Sequence, residues 1–272
     1  MSVLQRESSG PGNVVESSPH AVKPADFSAE EWAVRVDLAI AYRLFDWMGI
    51  TDLIHTHISV RVPGADEQFL QLPYGHLFHE ARASDMVKAD PAGGIISDPT
   101  GLGISRGGFA IHSVVHMNRK DAACVMHAHT EASIAVANYR DGLLPLTQHA
   151  LRFYGKTGYL AYCGLFDSEE KRASIARALG NADVLMLRNH GPLVIGQTVR
   201  EAFSRMYYLE RACRMQVASL SQCTDPDKEL LYISAEDCRA MAAAFEGGES
   251  VIDREWNALV RMLDKTNPGY DE

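Results

Sequence analysis

The stretch Val125-Met126-His127-Ala128-His129-Thr130 decides how this chain is read. In an extended segment successive side chains point to opposite faces, so His127 and His129 share one face, about 6.5 Å apart along the strand. The alternation runs on around them, with Cys124, Met126 and Ala128 on one side and Val125, His127 and His129 on the other. Two imidazoles so related suit one divalent ion bound at about 2.0–2.1 Å, and catalytic zinc typically takes three protein ligands plus an open position. The third ligand is expected at His190, in Arg188-Asn189-His190-Gly191. The apolar run Val184-Leu185-Met186-Leu187 before it reads as a buried strand, which puts His190 at the strand's exit. A second reading of the pair, two imidazoles bonded to neighbouring backbone, stays open at this point.

Composition bounds what surrounds that motif. A chain of 272 residues is long for one domain, yet α/β chains of this length often close around a single core, and one unit is expected. The formal net charge of -9 argues against nucleic acid as a partner, and without a basic run an anionic membrane surface is not expected either. No apolar stretch reaches ~18 residues and the N-terminus lacks the pattern of a signal peptide, so a cytoplasmic protein is expected. The 5 cysteines are scattered without a Cys-x-x-Cys pair and read as reduced thiols.

Outward from the histidine strand, hydrophobic period and turn residues mark the elements. Residues 1–25, rich in Ser, Gly and Pro, read as a flexible N-terminal arm. Ser28-Ala29-Glu30-Glu31 is a capping box that opens an amphipathic helix stopped by Gly49. From Ile54 to Val62 the period changes to two, with His55, His57, Ser59 and Arg61 on one face; after Pro63-Gly64 a returning strand is expected at Phe69 to Leu72. Met86 to Lys88 and Ile95 to Ser97 flank Asp90-Pro91-Ala92-Gly93-Gly94 and read as a second antiparallel pair. A glycine-rich loop (Gly101 to Gly108) and a helix over Ala110 to Asn118 are expected next. Further helices are signalled by caps at Ser168, Thr198 and Ser234, with a last one over Val251 to Leu263. The sum is an α/β protein, a three-layer α/β/α sandwich. Residues 26–225 form its main domain and 226–272 a C-terminal helical extension packed on it.

Residues from about 30 to 225 resemble the class II aldolase/adducin family. The resemblance is carried by Ser59-Val60-Arg61, Leu72-Pro73-Tyr74-Gly75, His127-Ala128-His129 and Asn189-His190-Gly191, in this order and spacing. It implies a central, mainly antiparallel sheet, a homotetramer with sites at subunit interfaces, and zinc on His127, His129 and His190, with manganese or iron as alternatives. It also implies a lyase acting on a small hydroxy-keto acid or sugar-derived substrate by retro-aldol cleavage or decarboxylation. In that chemistry a metal polarises a carbonyl and a nearby carboxylate moves the proton.

Several positions depart from the family pattern. Counted without a gap from His127, the family's glutamate falls at Gly108, which transfers no proton. His57 stands where a phosphate-binding asparagine would lie, and Pro73-Tyr74-Gly75 replaces a threonine-containing loop, so phosphate binding is not expected. Substrate contact is assigned to Tyr74, Gly75 and Arg106, whose planar guanidinium suits a carboxylate. Three residues are candidates for proton transfer. His116 lies four after His112 on one helical face; Glu131 follows His129 by two; His149 falls where the family places a tyrosine that reaches across the interface. Each also has a plainer role, as a hydrogen-bonded buried histidine, a solvated carboxylate opening the next helix, and a packing residue. The alternative to a lyase is a non-catalytic binding or assembly protein like the adducin head.

Overall fold

Strands and helices alternate along the chain in the computed structural model, which describes residues 26–65, 67–245 and 248–272. The arm expected over residues 1–25 lies outside them. Helix α1 (Ala29–Met48) begins where the Ser28 hydroxyl accepts the Glu31 N–H at 3.0 Å and ends at Gly49, whose φ of 67° lies in the left-handed region that glycine enters without strain. Then come β1 (His57–Arg61), β2 (Phe69–Gln71), β3 (Val87–Ala89), β4 (Ile95–Ser97), α2 (Arg106–Asn118) and β5 (Cys124–His127). The rest is α3 (Glu131–Asn138), α4 (Gln148–Leu151), β6 (Thr157–Leu160), α5 (Glu169–Leu179), β7 (Val184–Leu187), β8 (Gly191–Gly196), α6 (Val199–Leu220), α7 (Pro226–Glu229), α8 (Ala235–Ala244) and α9 (Glu249–Thr266).

The eight strands form one sheet in the order β4-β3-β2-β1-β5-β8-β7-β6. Every pair is antiparallel except β6 and β7, which are joined through α5 by the crossover that a parallel pair requires. The alternation of β5 sorts its side chains into two layers. Cys124 and Met126 join a core with α1, α3 and α6, whereas Val125 joins Ile111 and Val115 of α2 and Ile175 and Leu179 of α5 on the other face. β7 divides the same way, Val184 and Met186 against Leu185 and Leu187. Helices therefore cover both faces of a mainly antiparallel sheet. Trp256 of α9 packs edge-on against Phe203 of α6, with ring centroids 5.6 Å apart, and Arg43 of α1 donates to the carbonyls of Asn267 and Pro268, so the C-terminal segment adds to the α1–α6 layer. None of the described helices is long and apolar enough to cross a membrane.

Three expectations need correction. α2 begins at Arg106, not Ala110, because Ser105 caps it by accepting the Gly108 N–H at 3.4 Å; Gly107 and Gly108 belong to its first turn rather than to the preceding loop. β1 begins at His57, not Ile54, since the His55 N–H turns back to the Asp52 carbonyl and Leu53 takes a φ of 50°. The histidine strand ends at His127, leaving His129 just beyond it.

Candidate metal centre

The three histidines singled out in the sequence come together. His127 ends β5, His129 lies in the two residues between β5 and the Thr130 cap of α3, and His190 occupies the turn between β7 and β8. Pairing of β5 with β8 sets His127 opposite Leu193 and closes the gap between segments. The turn carrying His190 is shaped by Asn189, at φ 59°, and by Gly191, at φ 151°, where a Cβ would overlap the Ala128 carbonyl. Arg188 donates to the carbonyls of Ala137, Tyr139 and Arg140, fastening this turn to the end of α3. On the other side, the Thr130 hydroxyl bonds the carboxylate of Glu210, a buried residue of α6 that also pairs with Arg214.

His127 Nε2 lies 2.8 Å from His129 Nε2 and 3.2 Å from His190 Nε2, and the ligand atoms of all three residues fall within 4.8 Å of one another. Their outer nitrogens show why these atoms face inward. His127 Nδ1–H donates to the Pro192 carbonyl at 2.8 Å and His129 Nδ1–H to Asp52 Oδ2 at 3.0 Å, which leaves each Nε2 with its lone pair. Lone pairs at this separation repel unless a proton or a cation lies between them. Burial, then the neighbouring histidines, holds His127 well below the ordinary imidazole range, and burial, then His129, lowers His190 to about 4, so protons are a poor solution. A divalent cation is a good one: tetrahedral zinc sets its nitrogens ~3.3 Å apart, close to the spacing found.

Beside this cluster a chain of hydrogen bonds runs from a backbone carbonyl to the same cavity. His116 Nδ1 meets the Ala122 carbonyl at 2.7 Å, His116 Nε2 meets Ser59 Oγ at 2.8 Å, Ser59 Oγ meets His112 Nδ1 at 2.6 Å, and His112 Nε2 meets His57 Nδ1 at 2.8 Å. Burial lowers all three imidazoles, His57 and His116 to about 3. His57 sits beside His127, with ring centroids 5.2 Å apart, and its Nε2 occupies the space into which a Cβ at Gly108 would project.

The cavity has a volume of about 430 Å³ and is bordered by the three clustered histidines, His57, Gly108 and the segment Gly164 to Asp167. Arg106 is exposed at the start of α2, between Ser105 and Gly107, which both border it. Tyr74 lines a smaller recess that shares only His57 and Ser105 with the cavity, and Gly75 follows it at φ 120°. The candidates for proton transfer do not converge on the cluster. His116 is buried against Phe69 at the far end of the hydrogen-bond chain, Glu131 is exposed as the first residue of α3, and His149 of α4 packs near Tyr208, with ring centroids 5.5 Å apart. His57 and Asp52 are the residues at the site that sequence reasoning left unassigned. Strand parity put His57 on the face of Ser59, a usable signal, whereas nothing around Asp52 marks it.

The Class II Aldolase and Adducin N-terminal domain family matches residues 36–217. A Caulobacter vibrioides protein, whose name places it with the aldolase class 2 proteins, is 43% identical over 243 residues, covering 89% of this chain and 93% of that protein. Alpha-adducin of Rattus norvegicus is 38% identical over 251 residues, which cover 88% of this chain and 34% of the adducin. The crystal structure of an aldolase II superfamily protein from Pseudomonas syringae superimposes with a TM-score of 0.86 at 41% identity, covering 91% of this chain and 98% of that one.

Proposed function

Because the chain belongs to the Class II Aldolase and Adducin N-terminal domain family, we propose that it is a metal-dependent lyase of class II aldolase type. The observation that carries this reading is the convergence of three imidazole Nε2 atoms, two of them held in the metal-binding tautomer by the Pro192 carbonyl and the Asp52 carboxylate. His127, His129 and His190 would hold the ion, with zinc the best fit and manganese or iron as alternatives. Bound there, the ion would supply Lewis-acid polarisation of a substrate oxygen. Arg106, at the cavity's edge, is suited to a substrate carboxylate, and Tyr74, followed in the chain by Gly75, borders the adjoining recess. The substrate class is a small hydroxy-keto acid or a sugar derivative, cleaved by retro-aldol reaction or decarboxylation. Residues 26–225 would form the catalytic domain and 226–272 its extension, in a cytoplasmic homotetramer. The exposed apolar side chain of Leu165, which borders the cavity, supports an interface there.

Elemental analysis of the purified protein tests the metal, with one zinc, manganese or iron per chain expected and none in His127→Ala. The metal-loaded protein is then incubated with a panel of hydroxy-keto acids and sugar derivatives, and aldehyde or carbon dioxide release is followed. A second reading, a non-catalytic assembly protein, is favoured by Gly108 at the expected carboxylate position and by the alpha-adducin likeness. A metal-free protein that forms intact oligomers and is silent across the panel would replace the lyase reading with this one.

A further inference from the structure

The hydrogen-bond chain beside the cluster has a direction, and it starts from an atom that can only accept. The Ala122 carbonyl requires a proton on His116 Nδ1. Burial keeps His116 neutral, so its Nε2 has a lone pair and takes the hydrogen of Ser59 Oγ. That hydroxyl has no second hydrogen to give, so His112 must carry its proton on Nδ1 and donate to Ser59. His112 Nε2 is then an acceptor, which puts the His57 proton on Nδ1. With its Nδ1 hydrogen given to His112, the neutral His57 ring is left with Nε2 as the open, accepting end of the chain. His57 is only 6% exposed, it borders the cavity, and among the described residues its Nε2 has no hydrogen-bond partner. Gly108 is what makes room for this atom, because any side chain at that position would overlap it.

The recess behind His57 continues the same chemistry. Thr56 Oγ1, Gln71 Oε1 and His76 Nδ1 are buried there without a hydrogen-bond partner, and the recess, of about 10 Å³, admits one hydroxyl-sized group. Arg106 stands at the cavity's rim, but no lysine or arginine lines the wall around His57 or the recess behind it. Of these groups His57 Nε2 and Gln71 Oε1 can only accept, so they repel phosphate oxygens and attract O–H groups, and a buried acceptor left unpaired penalises any ligand that lacks the matching donor.

Building on the lyase reading, we propose that His57 Nε2, backed by Thr56 and Gln71, is a hydroxyl-recognising subsite that selects an uncharged, hydroxyl-bearing substrate end over a phosphorylated one. His57 is thus a specificity residue, and His112, Ser59 and His116 are positioning residues that hold its tautomer.

Two measurements on the zinc-loaded full chain test this. Solid-state nitrogen spectra of histidine-labelled protein, with His57 assigned by difference against His57→Asn, are expected to show Nδ1 protonated and Nε2 bare at neutral pH. A protonated or metal-bound Nε2 would overturn the proposal whatever the activity. Calorimetric titration with erythrulose and with its terminal phosphate ester is expected to show about a tenfold preference for the unphosphorylated sugar, lost in His57→Asn, whose amide offers a donor. Tighter binding of the phosphate ester, or a preference unchanged by His57→Asn, would remove the His57 assignment and leave the lyase reading standing. A protein that holds zinc yet binds neither probe would overturn both, and a protein that takes up no zinc would overturn the lyase reading alone, with the nitrogen spectra of the metal-free chain then deciding for or against the tautomer.

Discussion

The imidazole of His57 lies where the side chain of residue 108 would otherwise be, so the two positions cannot both be filled. The neighbouring glycine is different: a Cβ at Gly107 meets nothing within 4 Å. Both are in the first turn of α2, where alanine is intrinsically favoured over glycine. Gly107→Ala is therefore expected to stabilise the protein by about 0.5–1 kcal/mol. Gly108→Ala is expected to destabilise it by about 1–3 kcal/mol, because the hydrogen-bonded His57 ring cannot yield. Urea midpoints of the two variants should fall on opposite sides of the wild type; shifts of the same sign would refute the crowding argument.

Asp52 acts on the cluster through His129. Losing a carboxylate behind a metal-bound imidazole typically lowers affinity 10–100-fold, and the half-exposed position of this side chain favours the lower end. Asp52→Ala should weaken zinc binding by about tenfold in competition with a chelator, with little change in the metal-free protein's stability.

Acid should be hard on the metal-free protein. His57 and His116 are held at about 3, against an ordinary value of 6.5, and His112 is lowered too, in each case first by burial. The unfolded chain therefore takes up protons that the folded chain refuses. The stability these groups contribute is complete above about pH 6.5 and is lost as the pH falls from there toward 3. Each adds a slope of ~1.4 kcal/mol per pH unit within that window. Urea unfolding between neutral pH and about pH 5 checks this, and a flat profile would mean that the histidines charge without unfolding.

Adding metal should raise the melting temperature in proportion to the logarithm of its free concentration. At a hundredfold excess over Kd the gain is about 2.7 kcal/mol. Calorimetric scans of His190→Ala should show far less of this gain than wild type, and an equal gain in both would place the ion elsewhere.

Much of this site was legible in the sequence because it depends on short-range periodicity. Strand parity around His127 and the apolar run before His190 located all three clustered imidazoles. The parity of His57 with Ser59 and the four-residue spacing of His112 and His116 were legible too. That these two faces meet was not, since it depends on α2 packing across β1, a tertiary contact without a local signal. Spacing counted from His127 singled out Gly108 but not the His57 ring that fills the space beside it. Strand β6 escaped notice for a related reason: Thr157–Leu160 is an edge strand with a glycine and partly buried side chains, and only its pairing with β7 makes it a strand.

The histidines at 127 and 190 are 63 residues apart and meet only when β5 and β8 align. A nascent or partly unfolded chain with that seam open presents two imidazoles at most, too few to hold an ion firmly. Loop closure over this span is entropically slow to arrive, so tight metal capture belongs to the end of folding rather than its beginning. Bound zinc would then serve as a stoichiometric marker of chains whose central seam has closed.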